Sequence, residues 1–115
     1  MHELSIALSI VDGVLQELQR QKPGHVEAVH LRVGRLSGVD KDALSFSYGV
    51  ACEGTALANS RLLIEDVDVA IFCPVCEVER PTRSFPVLTC AECGASSQRV
   101  LRGEELEITA MEMVA

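Results

Sequence analysis

The stretch CPVCEVERPTRSFPVLTCAECG (residues 73–94) determines how the chain is organised, because it carries two Cys-x-x-Cys pairs. Cys73 and Cys76 form the first pair, and Cys90 and Cys93 follow after a spacer of thirteen residues. Two residues between thiolates suit a tight turn around a metal, and two such turns supply four sulfurs for tetrahedral Zn(II). Because four thiolates leave no open coordination position, the pattern predicts a structural zinc site.

Other uses of the cysteines stay open from the residues alone. A redox site accounts for one Cys-x-x-Cys pair but not for the second. A rubredoxin-like iron site uses the same four thiolates, and disulfide pairing is a further alternative, although a reducing compartment favours metal. The fifth cysteine, Cys52, lies in an apolar pattern and is interpreted as a small buried residue without a role in metal binding.

The segment before the cysteines predicts two helices and two strands. A first helix is indicated by apolar residues that recur at steps of three and four and predict one buried stripe, namely Leu4, Ala7, Leu8, Val11, Leu15 and Leu18. Pro23-Gly24 ends that helix. HVEAVHLRVGRL (25–36) alternates as a half-buried strand does, with Val29, Leu31 and Val33 on one side and Ala28, His30 and Arg32 on the other.

A second helix and two further strands complete the predicted elements. Asp40 is a typical N-cap for a helix over about 41–52, and Gly54 closes it. RLLIEDVDVAIF (61–72) predicts a second strand, and LEITAMEMV (106–114) returns to strand composition after the cysteine-rich segment.

The predicted fold class is α+β. A small α/β domain of two helices and a three-stranded mixed sheet is interrupted by an inserted zinc-ribbon module. The predicted domains are 1–68 plus 104–115, which form the α/β domain, and 69–103, which form the zinc ribbon. A module of this size buries too little surface to fold alone, so the metal must supply folding free energy.

Composition and charge narrow the function classes. The formal net charge of −7 repels phosphate backbones, and aromatic residues for base stacking are scarce, so nucleic acid is a poor partner. No signal peptide and no apolar run of about 18 residues is present, so we expect a soluble cytoplasmic protein without membrane contact. No nucleophile–histidine–acid set or phosphate-binding glycine loop is found, and the zinc site is closed, so an enzyme is not expected.

The first three residues, Met1-His2-Glu3, contain a second candidate metal site. His is too large a second residue for removal of the initiator methionine, so we expect Met1 to keep a free α-amine. That amine, the His2 amide nitrogen and the His2 imidazole can close adjoining chelate rings, with the Glu3 carboxylate as a further donor. Tetragonal N/O ligation favours Ni(II) or Cu(II). The alternative interpretation is that His2 and Glu3 are a polar pair leading into the first helix.

Three landmarks together resemble the HypA/HybF family of hydrogenase nickel-incorporation factors. They are MHELSIA (1–7), VGRLSGVDKDALSFSYGVACEGT (33–55) and the CPVC…CAECG pattern, and they span essentially the whole chain in the family's order. The resemblance implies a metallochaperone that binds Ni(II) and helps insert it into the large subunit of [NiFe]-hydrogenase. It also implies a GTPase partner from the same maturation pathway, and some family members support urease maturation through its accessory proteins.

The resemblance also implies the roles of individual residues. His2 is then the essential nickel ligand, with the Met1 amine and Glu3 as close participants. The four paired cysteines are then the structural zinc ligands. His25 and His30 could extend a metal site, but they are interpreted as a loop residue and a solvent-facing strand residue.

Two matters stay open at this stage. The main alternative function is a zinc-ribbon module that binds protein or nucleic acid and has no nickel role. The sequence also leaves monomer and homodimer open, because a strand that follows an inserted module can be exchanged between protomers.

Overall fold

The computed structural model describes residues 2–20 and 24–114. Its two helices are α1 (His2–Leu18) and α2 (Lys41–Cys52). The strands are β1 (His25–Gly34), β2 (Arg61–Val67), β3 (Ala70–Cys73), β4 (Val78–Ser84), β5 (Val87–Cys90), β6 (Val100–Arg102) and β7 (Leu106–Val114). A short 3-10 turn, Arg35–Ser37, follows β1.

The strands form two sheets. One has three strands in the order β2-β1-β7, and the other has four in the order β5-β4-β3-β6. Two helices with a three-stranded mixed sheet and a cysteine-rich, zinc-ribbon-like insert confirm the predicted fold class. The chain forms two compact units, one of residues 1–31, 39–65 and 108–115 and the other of 32–38 and 66–107. The predicted division into domains at 69–103 stays a prediction.

Helix α1 buries a stripe that is rotated around the helix relative to the predicted one. Its buried residues are Ala7, Ile10, Val11 and Val14, which follow the spacing of a single helical stripe. Leu8 was placed on the buried stripe and is instead 52% exposed. Ile10 and Val14, which the predicted stripe left out, are buried, so the core-facing side lies further around the helix towards them and the leucines at the opposite margin stay partly or largely in solvent.

Helix α2 begins and ends where the sequence predicted. The Asp40 carboxylate accepts a hydrogen bond from the backbone N–H of Ala43 at 3.0 Å, which satisfies one of the free donors in the first turn. Leu44, Tyr48 and Cys52 share the buried face, so the interpretation of Cys52 as a small buried residue is confirmed.

The predicted second strand is wrong in its length. Residues 61–72 form two strands, β2 and β3, which belong to different sheets. The chain leaves the first sheet after Val67, and the exposed carboxylate of Asp68 lies 3.6 Å from the Arg35 guanidinium. The apolar alternation continues across this break, which explains why the pattern did not reveal it. In β3, Ile71 is fully buried and pairs antiparallel with Arg80 of β4.

Strand β1 also differs in detail from the prediction. Val29, Leu31 and Val33 are buried as expected, but Ala28 on the opposite side of the strand is buried as well. Strand β1, which is central in its sheet, is therefore covered over part of both faces and not over one face alone. No helix within the described ranges is long and apolar enough to span a bilayer.

Candidate metal sites

The four paired cysteines converge on one point. Cys73 ends β3 and Cys90 ends β5, and Cys76 and Cys93 lie in the turns that follow these strands. All four sulfur atoms lie within 4.8 Å of one another, and the sulfurs of Cys73 and Cys93 are 3.5 Å apart. Sequence spacing alone predicted this set, and the fold brings its members together.

Backbone N–H groups point at the sulfurs of both pairs. The Cys76 amide donates to the Cys73 sulfur at 3.3 Å, and the Glu92 amide donates to the Cys90 sulfur at 3.4 Å. In the second pair the turn is closed by Gly94, which has a left-handed φ of 77° and donates its N–H to the Cys90 carbonyl at 2.9 Å. Each pair therefore forms a tight turn that stabilises a thiolate.

The pKa values of these thiols depart from the ordinary value in both directions. The backbone N–H of Cys93 and the neighbouring amides lower the pKa of Cys90 to about 6, and the amide of Cys76 lowers the pKa of Cys73. For Cys93 the Ala95 amide lowers the pKa, but the Cys73 thiol and burial outweigh it and raise the pKa to about 11. Four thiolates so close together repel one another, so full deprotonation requires a cation between them.

The donor set fits Zn(II), which prefers four sulfur ligands in tetrahedral geometry. A thiol bound to such an ion loses its proton. A bound metal would therefore keep both Cys90 and Cys93 as thiolates, although their pKa values differ without it. The arrangement has no position left for a substrate or a water molecule, which is typical of a structural metal site.

Two arginines of β4 surround the cysteine cluster, and sequence reasoning did not identify them. The Arg80 guanidinium interacts with the Cys76 sulfur, which is the largest cause of its raised pKa. Arg83 donates to the Ala91 carbonyl at 3.4 Å, and its Nη1 would lie 3.0 Å from a Cβ placed on Gly94. Both contacts depend on how β4 lies against the cysteine turns, which the local pattern does not show.

The N-terminal candidates lie on the first turn of α1. The His2 Nδ1 atom is 3.8 Å from the Glu3 Oε2 atom, and the His2 side chain is 65% exposed. The Glu3 carboxylate accepts a hydrogen bond from the Asp40 backbone N–H at 3.2 Å, which lowers the pKa of Glu3. The amine of Met1, another of the predicted donors, lies outside the described residues.

The other histidines lie apart from any metal-ligand cluster. His25 is exposed and is the first residue of β1, so its interpretation as a loop residue is wrong, although the strand begins only there. His30 is partly exposed, and its Nε2 lies 2.5 Å from a carboxylate oxygen of Glu112 on β7. Within residues 2–20 and 24–114, neither histidine belongs to a group of three or more potential ligands.

Comparison with known proteins identifies relatives along the whole chain. The family described as "Hydrogenase/urease nickel incorporation, metallochaperone, hypA" matches residues 1–113. The hydrogenase maturation factor HypA of Chloroflexus aggregans is 43% identical over 112 residues, which cover 97% of this chain and 98% of that protein. The corresponding factor of Synechococcus sp. is 32% identical over 115 residues, which cover 99% of this chain and 100% of that protein.

Solved structures share the fold. The solution structure of the Ni metallochaperone HypA from Helicobacter pylori has a TM-score of 0.68 at 20% identity and covers 98% of this chain and 97% of its own. A second structure, described as the solution structure of HypA protein, has a TM-score of 0.73 at 21% identity and covers 99% of this chain and 97% of its own. With the family match over residues 1–113, these findings show that the chain belongs to the HypA family of hydrogenase and urease nickel-incorporation metallochaperones.

Proposed function

We propose that this chain carries Ni(II) at its N-terminus and delivers it to a nickel enzyme. The proposed ligands are the Met1 amine, the amide and imidazole nitrogens of His2, and the carboxylate of Glu3. These donors suit a tetragonal N/O site, which favours Ni(II) over Zn(II) or Mg(II).

The observation that carries the proposal is the position of the Glu3 carboxylate. It is held 3.8 Å from the His2 imidazole by the Asp40 amide, while His2 itself remains largely exposed. The hydrogen bond thus orients the carboxylate in advance, and it also lowers the pKa of Glu3. A nickel ion that arrives from solvent can meet an oriented oxygen and a free imidazole at the same place.

The start of a helix also frees the His2 amide for nickel. The first N–H groups of a helix have no intrahelical acceptor, and α1 begins at His2. The positive end of the helix dipole opposes a bound cation. A deprotonated amide and the Glu3 carboxylate offset that effect, and the need to lose protons makes the affinity rise with pH.

For the cysteine cluster we propose structural Zn(II), held by Cys73, Cys76, Cys90 and Cys93. When bound, the ion links the two turns and neutralises charge between the thiolates. The unit that contains it then serves as a folded recognition surface. This part of the proposal rests on the convergence of the four sulfurs within 4.8 Å.

The proposed recipient is the large subunit of [NiFe]-hydrogenase, reached together with the maturation GTPase, and urease accessory proteins are further candidate partners. The family description names both hydrogenase and urease. The chain acts as a carrier and not as an enzyme, in the cytoplasm, where thiols stay reduced. A dissociation constant near the micromolar range, roughly −8 kcal/mol, suits transfer between partners.

A nickel titration followed by calorimetry and visible absorption tests the site on two preparations. One keeps the native Met1 amine, and the other carries one extra Gly before Met1. We expect one nickel per native chain and at least tenfold weaker binding by the extended chain, a loss of about 1.4 kcal/mol or more. His2→Gln should lose binding as well, because it removes the imidazole while its size still keeps Met1 in place, and His25→Gln is the matched control that should keep nickel binding.

Zinc content must be equal in all four preparations, so that a change in nickel binding reports on the N-terminus. Equal nickel affinity in the native and extended chains would contradict the proposal. It would place the nickel on other groups, such as His25, His30 or the cysteines.

A further inference from the structure

The outer face of α2 carries apolar residues that the fold does not use. The buried face of this helix is formed by Leu44, Ser47, Tyr48 and Cys52. Phe46 and Val50 lie on the other side and are 76% and 45% exposed. They are four residues apart, so their side chains form one ridge along the helix. An aromatic residue exposed to this extent is typical of a binding surface.

Gly49 lies beside that ridge, three residues after Phe46, and is exposed. A glycine inside a helix destabilises it relative to alanine. A Cβ placed on Gly49 would have no atom of the chain within 4 Å other than its own helix backbone and immediate neighbours. Packing within this chain therefore does not require the glycine. It leaves a shallow groove beside the ridge, where a second helix can approach closely.

Acidic residues flank this face at both ends. Asp42 lies four residues before Phe46, and Glu53 lies three residues after Val50, and both are exposed. Lys41 precedes Asp42 but is engaged in an interaction of its own. A partner that covers the ridge therefore gains from basic side chains on either side of an apolar centre.

The helix that carries this outer face begins directly after Asp40, which contacts the candidate nickel ligand Glu3. The Asp40 amide, which donates to Glu3, immediately precedes α2. At 1.5 Å per residue, Phe46 lies roughly 9 Å further along the helix axis than Asp40. A protein that docks on this face therefore lies along the helix whose N-cap residue contacts a candidate nickel ligand.

We propose that the outer face of α2 (Asp42, Phe46, Gly49 and Val50), with Glu53 directly after the helix, docks an amphipathic helix of the nickel-receiving protein. The partner helix places its apolar residues against Phe46 and in the Gly49 groove, and its Lys or Arg residues pair with Asp42 and Glu53. So small a surface gives a weak, transient complex, which suits delivery. The inference rests on the proposed nickel-delivery function and adds the surface that the recipient recognises.

The experiment uses the nickel-loaded full chain and the precursor of the [NiFe]-hydrogenase large subunit from the same organism. Binding is measured by biolayer interferometry, and nickel affinity by calorimetry. Phe46→Asp and Gly49→Leu should each weaken precursor binding by about tenfold or more while nickel affinity stays unchanged. Binding by the unmodified chain should also fall as salt is raised, because the acidic flanks contribute.

Two matched controls make the comparison specific. Gly13→Leu places the same side chain at an exposed glycine of α1 that also has open space around it. Val87→Asp changes a 56% exposed apolar residue on β5. Both controls should bind the precursor within twofold of the unmodified chain.

Unchanged precursor binding by Phe46→Asp and Gly49→Leu would overturn the docking surface. So would an equal loss in the two controls, since the effect would then not belong to α2. A loss of self-association instead of precursor binding, measured by sedimentation, would assign the face to a second copy and overturn the recipient. Failure of the unmodified chain to bind nickel would instead refute the proposed function, so the two failures are distinguishable.

Discussion

At the scale of the residue, Arg80 is the side chain that we expect to affect metal retention at the cysteine cluster. A Zn(II) ion with four thiolates carries a net negative charge, which a nearby cation offsets. The Arg80 guanidinium interacts with the Cys76 sulfur, and its Nε atom is buried with no hydrogen-bond partner in the described part of the chain. Groups beside a metal ligand commonly change metal affinity by 10- to 100-fold.

Replacing Arg80 should therefore loosen the metal. We expect Arg80→Met to release zinc to a chromogenic chelator roughly tenfold faster than the unmodified chain, because the Cys76 thiolate loses its cationic neighbour. Arg80→Lys should restore part of the retention, since it keeps the charge. Arg61→Met on β2, outside the cysteine unit, is the control, and an equal rate in all four proteins would show that Arg80 has no such role.

At the scale of the element, α2 is tied to the segment that follows it by a small buried polar network. The Tyr48 hydroxyl lies 2.7 Å from the Ser60 Oγ, and Ser60 donates to the Leu57 carbonyl at 2.6 Å. Burial raises the pKa of Tyr48 to about 12, while the Ser60 hydrogen bond opposes this rise and Cys52 adds to it. The attachment of α2 to this segment is therefore most stable when the Tyr48 hydroxyl is protonated.

The raised pKa predicts a loss of stability in strong base. In the unfolded chain Tyr48 ionises near pH 10, whereas in the folded chain it ionises near 12. Its contribution is complete below pH 10 and disappears as pH rises towards 12, on the order of 2 to 3 kcal/mol in all. Urea denaturation at pH 9 to 11.5 measures it. Tyr48→Phe should show a shallower decline than the unmodified chain, and parallel declines would refute the prediction.

The elements differ in how well the sequence predicted them, and the reason is physical. The bounds of α2 were predicted because the capping residue Asp40 stands directly before a segment whose apolar residues recur at helical spacing. The break between β2 and β3 was not predicted, because alternation continues through Asp68 while the chain changes sheets. The four cysteines were predicted by their spacing alone. The Asp40–Glu3 contact joins residues 37 positions apart, and only the packing of α1 with α2 creates it.

At the scale of the whole molecule, the two compact units should differ in how much their stability depends on the metal. The unit of residues 32–38 and 66–107 contains the four-stranded sheet, and two of its strands, β3 and β5, end at cysteine ligands. The other unit has a buried core of its own in α1 and α2, which includes Val14, Leu44 and Tyr48. Metal that binds only the folded state stabilises the unit that holds its ligands.

Zinc removal should therefore destabilise one unit much more than the other. After a strong chelator removes the metal, we expect amides of β3, β4 and β5 to lose protection from hydrogen exchange, while amides of α1 and α2 keep most of theirs. Cys90→Ser should reproduce the effect because it removes a ligand. Cys52→Ala should retain zinc, since this buried cysteine lies outside the cluster. Equal loss of protection in both helices would mean that the metal supports the whole chain as one cooperative unit.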